Sequence, residues 1–323
     1  MKPVTPMEPK AADRPPGGAE WIAQVKWDGV RVLVYRDDDG VRLYNRHRRE
    51  RTWHYPELLD VGSYCAASSV ILDGEVVALG IDGKPDFHEV MRRDGVRRRE
   101  RVAAVQRAVP VFYMVFDILY CDGSWVTDRP LDERLELLRR VVRPTAHVRW
   151  VDDHADGAEL FERTRVLGLE GIVCKRRDAP YRVGEKRGDW LKVKHVHDLN
   201  AVIGGYTLGE DGGMGAVLLG VYDKAGRLWY VGHTGSGRLS CAEWRALAEV
   251  LRPLRTPDVP FFHRPGRYAG ARWVRPQVAV RVTYSTWTPG RSLRHPVLQA
   301  VLDVPAEACV WPQDAPIPQD GAR

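Results

Sequence analysis

Cationic and acidic residues recur at the ends of apolar runs along this chain, and the first such place is Val25-Lys26-Trp27-Asp28-Gly29-Val30-Arg31. A lysine amine is a poor nucleophile at neutral pH, because its ordinary pKa is about 10.4. Burial beside other cations lowers that value and frees the lone pair for covalent chemistry. Lys26 sits where this could happen, at the end of an expected strand and just before an Asp28-Gly29 turn, with Arg31 a fixed cation beyond it. Taken alone, the pattern equally describes a surface lysine beside an ordinary turn. Further polar groups follow in order: Asn45-Arg46, Asp73-Gly74-Glu75, Phe116-Asp117, Glu170-Gly171-Ile172-Val173-Cys174-Lys175, and Trp190-Leu191-Lys192-Val193-Lys194.

The elements that must position these groups are mostly strands. Alternation predicts strands over Trp21–Val25, Arg31–Tyr35 and Val41–Asn45, the last two joined by Asp37-Asp38-Asp39-Gly40. Ser69–Leu79 reads as a strand ending at an Asp82-Gly83 turn, and Val109–Leu119 as a strand buried on both faces. Ile172–Lys175 and Trp190–Lys194 are short strands separated by a polar loop. Helices are expected at Tyr55–Val61, at Asp86–Arg93 with Asp86 as N-cap, at Leu131–Val142 and at Asp156–Leu167. This is a mixed α+β domain of antiparallel sheets ending near His197. From Asn200 onward the chain turns Gly-rich, with strands at 201–206, 216–222, 228–232 and 277–284 and a helix at 241–254. Four or five short strands with one helix fit a small OB-type barrel. The domain boundaries that follow are an extended Pro-rich leader over 1–18, a first domain over 19–197, an OB-fold domain over 198–311 and a disordered tail over 312–323.

A length of 323 residues suits two domains with separate cores. No apolar run approaches the roughly 20 residues that cross a bilayer, and the leader has no signal-peptide pattern, so a cytoplasmic protein without a membrane partner is expected. The five cysteines are too widely spaced for a zinc knuckle or a disulfide framework. His233, His263 and His295 have no ligand spacing, so no zinc is expected. A net charge of +6 is modest, but four arginines fall within 46–51 and six within 92–101, which suits a polyphosphate partner. The Gly-rich stretch 232–237 lacks the Lys-Ser/Thr ending of a phosphate loop and reads as a barrel turn.

In this order the polar patterns resemble those of the covalent nucleotidyltransferases, the superfamily of ATP-dependent polynucleotide ligases and mRNA capping enzymes. The likeness runs from Val25 to about Pro296. Within the superfamily it is greatest to the ligase domain of bacterial ligase D, an ATP-dependent DNA ligase of end joining. Met7-x-Pro9, Tyr113–Leu119, Val202-Ile203-Gly204-Gly205-Tyr206, Trp273-Val274-Arg275-Pro276, and Trp287-Thr288-Pro289 to Leu293-Arg294-His295-Pro296 carry that narrower likeness. The implied fold is an antiparallel-sheet nucleotidyltransferase (ATP-grasp-like) domain followed by an OB-fold barrel.

The resemblance implies that Lys26 attacks the α-phosphorus of ATP, forming a lysyl-AMP, and that AMP passes to the 5′-phosphate of a DNA break. Lys192 and Lys194 alternate with Leu191 and Val193 and so share one strand face; facing the nucleotide, they would neutralise the α-phosphate and depress the Lys26 pKa. Lys175 would be a further phosphate contact. Glu75 and Glu170 would hold Mg²⁺ or Mn²⁺, with the ribose as another role for Glu75, and Asp73 shares the Glu75 face. Phe116 would stack on adenine, and Arg31 and Arg46 would hold ribose and phosphates. Arg294 would orient the leaving pyrophosphate. The sequence departs from the family twice: Leu302 stands where a second cation is expected, and Gln24 stands where a Glu usually helps read adenine. Expected partners are nicked or broken duplex DNA, with Ku and separate end-processing enzymes, the chain acting as a monomer. Other readings are an RNA ligase or a capping guanylyltransferase on the same scaffold, or a noncatalytic DNA-end-binding module.

Overall fold

A computed structural model describes residues 1–80, 83–210, 212–263, 265, 270–288 and 290–312. Asp82 of the expected turn, Pro289, and the tail beyond Pro312 lie outside the described residues. The chain divides into two compact units, Met1–His195 and Val196–Arg323.

The first unit is built on two sheets. One contains β1 (Glu8–Ala11), β2 (Trp21–Val25), β9 (Gly171–Arg176) and β10 (Lys186–Lys194) in the order β1-β10-β9-β2. The other contains β3 (Val30–Asp37), β4 (Gly40–Asn45), β5 (Val70–Ala78), β6 (Val111–Cys121) and β7 (Ser124–Trp125) in the order β4-β3-β5-β6-β7, with β8 (Val148–Trp150) on β6. Most pairs are antiparallel as expected, but β1–β10 and β6–β8 are parallel. Met7, Leu33, Tyr35, Ile71, Leu119, Tyr181 and Trp190 form a small buried core contributed by both sheets. On its other face the second sheet packs against α1 (Val61–Tyr64), α2 (Phe87–Asp94), α3 (Val102–Ala108) and α4 (Leu131–Val141). Asp86 caps α2 by accepting from His88 and Glu89 N–H groups. Helix α5 (Gly157–Val166) carries Leu160 into a third cluster with Ala23, Ile172, Cys174 and Val193.

Two sequence expectations change here. The leader over 1–18 is not separate, because β1 pairs with β10 and Met7 is fully buried. The single helix over Tyr55–Val61 is instead a 3-10 turn at Pro56–Leu58 and the short α1. Asp117, inside an apolar strand, is tolerated because Arg134 donates to both its oxygens at 2.8 and 2.9 Å.

The second unit is a five-stranded antiparallel sheet curled into a barrel, in the order β13-β12-β11-β15-β18. Its strands are β11 (His197–Leu208), β12 (Met214–Tyr222), β13 (Leu228–Thr234), β15 (Ala279–Tyr284) and β18 (Val297–Leu302), with β14 (Arg272–Trp273) on β11 and a small β16 (Thr286–Trp287) and β17 (Leu293–Arg294) ribbon. Beyond β13 the Arg238 N–H donates to the Leu298 carbonyl at 2.8 Å, bringing the two edges of the sheet together. Helix α6 (Cys241–Leu251) opens with a Ser240–Glu243 capping box. Its Leu247 and Leu251 join Val217, Leu219, Val231, Val280 and Leu298 in the barrel core. Among the described residues no helix is long and apolar enough to cross a membrane.

Candidate active site

Lys26 is placed by backbone register. Val25 pairs with Ile172, and the Lys26 N–H continues the ladder onto the Gly171 carbonyl at 2.9 Å. On the far side of β9, Lys194 pairs with Gly171. Glu170, the residue before β9, is therefore flanked by both lysines. Its Oε2 accepts from Lys26 Nζ at 2.5 Å and its Oε1 pairs with Lys194 Nζ at 2.5 Å. Gly171 is required here: its φ is +141°, and a Cβ would lie 2.1 Å from the Val193 carbonyl oxygen. That steric demand is the physical content of the Glu-Gly-Ile pattern.

After Lys26 the chain bends through Trp27-Asp28-Gly29 into β3. Gly29 does not take a left-handed φ, so the expected turn chemistry is not what fixes it. A Cβ there would meet the Val76 carbonyl at 2.2 Å, so close strand approach selects glycine. Arg31 then pairs with Glu75 of β5, and Asp73 shares the Glu75 face.

Arg31 is held by several partners within the fold. Its Nε and Nη2 donate to the two Asp73 oxygens at 2.9 and 2.5 Å, and its Nη1 donates to the Met7 carbonyl at 2.7 Å. Tyr181 closes the network, accepting from Arg31 at 3.2 Å and donating to Asp73 at 2.7 Å. The Met7 N–H also donates to Tyr181 Oη, at 3.0 Å. Burial opposes the charge on Arg31, yet Asp73 and Tyr181 more than offset it and its pKa is raised. The same burial, with Asp73 beside it, holds the Tyr181 hydroxyl well above its ordinary value. Sequence reasoning missed Tyr181, and Met7-x-Pro9 was its one clue to the leader's role.

Lys175 is buried as well. It is 2% exposed, and its Nζ donates to the Phe116 carbonyl at 3.2 Å. The ammonium lies 4.5 Å from the Phe116 ring centroid and 4.2 Å from that of Trp190, a cation–π arrangement. Desolvation, only partly countered by Asp117, Asp153 and Asp73, lowers its pKa to about 8. Lys175 thus supports the Phe116 ring from within the fold. Phe116 itself is partly exposed, as a stacking residue must be.

The electrostatics identify one end of this sheet pair as a charge cluster. Glu75 is pushed up to about 8, first by desolvation, against the pull of Lys26 and Arg31 and with the push of Glu170 and Asp73. Burial raises Glu170 too, but Lys26 and Lys194 more than reverse it and its pKa is lowered. Lys192 is lowered by burial first and then by Lys194 and Lys26. Lys26 is therefore within electrostatic reach of Glu75, Glu170 and Lys192, and Lys194 within reach of Glu170 and Lys192. Arg46 is exposed just beyond Asn45, which pairs with Val32, so it leaves the sheet at the Arg31 end. Gln24 is buried, with its amide on Asp153. Arg294 belongs to β17 of the second unit, where it pairs with Thr286.

Among the described residues no group of three or more His, Cys, Asp or Glu could hold a metal. Mg²⁺ needs only one or two carboxylates when phosphate and water complete its shell. The Glu75 carboxyl, with a raised pKa and no hydrogen bond among the described residues, fits that demand. Glu170 has both oxygens on lysines, so it fits only by releasing one of them.

Both parts of the chain match a known family. The family model for the ATP dependent DNA ligase domain matches residues 9–194, and that for the ATP dependent DNA ligase C terminal region matches 210–303. The multifunctional non-homologous end joining DNA repair protein LigD of Mycobacterium tuberculosis is 36% identical over 281 residues, covering 85% of this chain and 35% of that protein. The chain thus spans about a third of the length of the multifunctional relatives it matches. DNA ligase C1 of Mycolicibacterium smegmatis is 32% identical, covering 98% of this chain and 96% of that protein. The structure of a mycobacterial DNA ligase D complexed with ATP and MES is 31% identical, with a TM-score of 0.51 over 95% of this chain and 98% of that one. This chain belongs to the ATP-dependent DNA ligases of the LigD type.

Proposed function

We propose that the chain seals 5′-phosphate/3′-hydroxyl breaks in DNA through a lysyl-AMP intermediate on Lys26. The observation that carries this reading is the Lys26–Glu170–Lys194 arrangement, with one carboxylate shared by two ammonium groups at the ends of three adjacent strands. Glu170 holds the Lys26 amine in place, while Lys194 and Lys192 gather positive charge where an α-phosphate would develop negative charge.

In the first step the Lys26 Nζ–phosphorus bond forms as the bond from that phosphorus to pyrophosphate breaks. The ammonium gives up one proton before attack and one after it. AMP then moves to the 5′-phosphate of the break, freeing Lys26, and the 3′-hydroxyl displaces AMP as the phosphodiester forms. Splitting the reaction this way replaces one difficult displacement by easier ones. Glu75, with Glu170, would hold Mg²⁺ or Mn²⁺, which supplies charge neutralisation on the phosphates. Phe116 stacks on adenine, Gln24 reads its edge, Arg46 takes phosphate, and Arg294 orients the pyrophosphate. The domain division proposed is an adenylation domain over 19–197, with residues 1–18 docked on it through β1, and an OB-fold domain over 198–311.

The biological setting proposed is end joining in the cytoplasm, with the protein a monomer working beside Ku and separate end-processing enzymes. A nick-sealing assay with ATP and Mg²⁺ tests the activity. Joined product is expected from the wild type and none from Lys26→Ala; equal joining by both would remove Lys26 from the reaction.

A further inference from the structure

His154 forms a single backbone bridge to the free edge of β2. The Ala23 N–H donates to the His154 carbonyl at 2.8 Å, and the His154 N–H donates back to the Ala23 carbonyl at 2.8 Å. This antiparallel bridge sets Gln24 beside Asp153. Gln24 Nε2 donates to Asp153 Oδ1 at 2.7 Å, while Arg139 of α4 donates to Asp153 Oδ2. Gln24 is 2% exposed and lies two residues before Lys26, on the same side of the strand.

A glutamine amide has a donating end and an accepting end, and a pocket that reads a nucleobase must present one of them reliably. A carboxylate can only accept. Asp153 therefore takes the NH₂ end of Gln24, and the Oε1 faces away from it. No donor engages that oxygen among the described residues. We infer that Asp153 is a positioning residue for nucleobase choice: it fixes the Gln24 amide so that a hydrogen-bond acceptor, and no donor, meets the exocyclic position of the incoming purine. An acceptor there pairs with the 6-amino group of adenine and repels the 6-oxo group of guanine. The Gln24–Asp153 pair thus does what a lone glutamate does in relatives, with the acceptor enforced by a second residue instead of by charge. Arg139 fixes the carboxylate from the other side.

This inference rests on the lysyl-nucleotide reading above, and one experiment separates the two. The full chain is incubated with Mg²⁺ and either α-labelled ATP or α-labelled GTP, and the ratio of covalent labelling rates is measured. A ratio taken within one preparation does not depend on the fraction that is folded. Asp153→Asn can accept or donate, so Gln24 is free to turn its NH₂ toward guanine; the ATP-to-GTP ratio is expected to fall about tenfold. Asp153→Ser, which also removes the obligate acceptor, is expected to lower it likewise. Adding Gln24→Glu to Asp153→Asn should restore the preference, because a carboxylate at position 24 can only accept and no longer faces a second one. A general loss of stability would not produce that reversal. An unchanged ratio in both single variants, with the wild type labelled by ATP, overturns the inference alone. A wild type labelled by neither nucleotide overturns the lysyl-nucleotide reading and this inference with it.

Discussion

Two charge networks, one buried and one partly exposed, stand side by side in the first unit, and they are built to different ends. Around Asp73 the donors and acceptors are matched: Arg31 commits Nε, Nη1 and Nη2 to Asp73, Met7 and Tyr181. Around Glu170 they are not. One carboxylate serves two ammonium groups, and Glu75 nearby is held near neutrality by a pKa of about 8. The first arrangement spends most of its donors and acceptors inside the fold and ties the amino-terminal segment to the sheet. The second is short of negative charge on one side and of positive charge on the other, which suits a site that takes up a phosphate and a divalent cation. A strong pKa shift alone would not tell them apart, because Arg31 and Glu75 are both strongly shifted. Whether each polar atom has found its partner does.

The largest effect should come from breaking the matched network. Asp73→Asn leaves the Arg31 charge poorly compensated, and a loss of about 3–5 kcal/mol in denaturant unfolding is expected. A loss no larger than that of an average surface change would mean the network is not the clamp described. Next, Glu170→Gln releases the Lys26 amine from its anchor. Covalent labelling by ATP should slow about 10²-fold through misplacement of the nucleophile, while the unfolding midpoint moves much less than for Asp73→Asn. If stability fell as far as labelling, the two networks would be alike.

A smaller, pH-dependent effect belongs to Glu75. Its folded pKa lies above the ordinary carboxylate range, so the folded chain binds a proton that the unfolded chain has lost. The wild type should therefore lose stability as pH climbs from that range to about 8. A divalent cation must displace the same proton, so cation-dependent labelling should rise with pH up to about 8. Glu75→Gln should flatten the stability profile; a profile identical to the wild type would contradict the assignment. The smallest effect is expected from cations outside both networks. Arg97, Arg98 and Arg99 are exposed and make no ion pair among the described residues. Changing all three to Ser should leave labelling unchanged and reduce the salt slope of DNA binding by about one for each phosphate that is no longer neutralised. An unchanged slope would place the DNA elsewhere.

Much of this was legible from local pattern. Apolar alternation located β2, β3 and β10, and the Lys192–Lys194 spacing put both on one strand face. What the sequence hid is partnership over long separations. Asp73 and Glu75 share a strand face, and nothing local says that Asp73 is the one consumed by Arg31 and Tyr181, a residue 108 positions away. The resemblance implies a phosphate contact for Lys175, and nothing local shows what surrounds it. Two aromatic rings and a carbonyl surround its ammonium. Strand β1 was masked by prolines, which suit an edge strand but spoil its alternation. Gln24 was visible as a departure, while Asp153 was not, since only the β2-edge bridge brings them together.

The central claim is that the Lys26 amine becomes bonded to a nucleotide. Intact-mass measurement of the protein after incubation with ATP and Mg²⁺ tests it most directly. The wild type should gain the mass of one AMP, located to the peptide containing Lys26, and Lys26→Ala should gain nothing. An AMP adduct retained by Lys26→Ala, or no adduct on a wild type that seals nicks, would contradict the account.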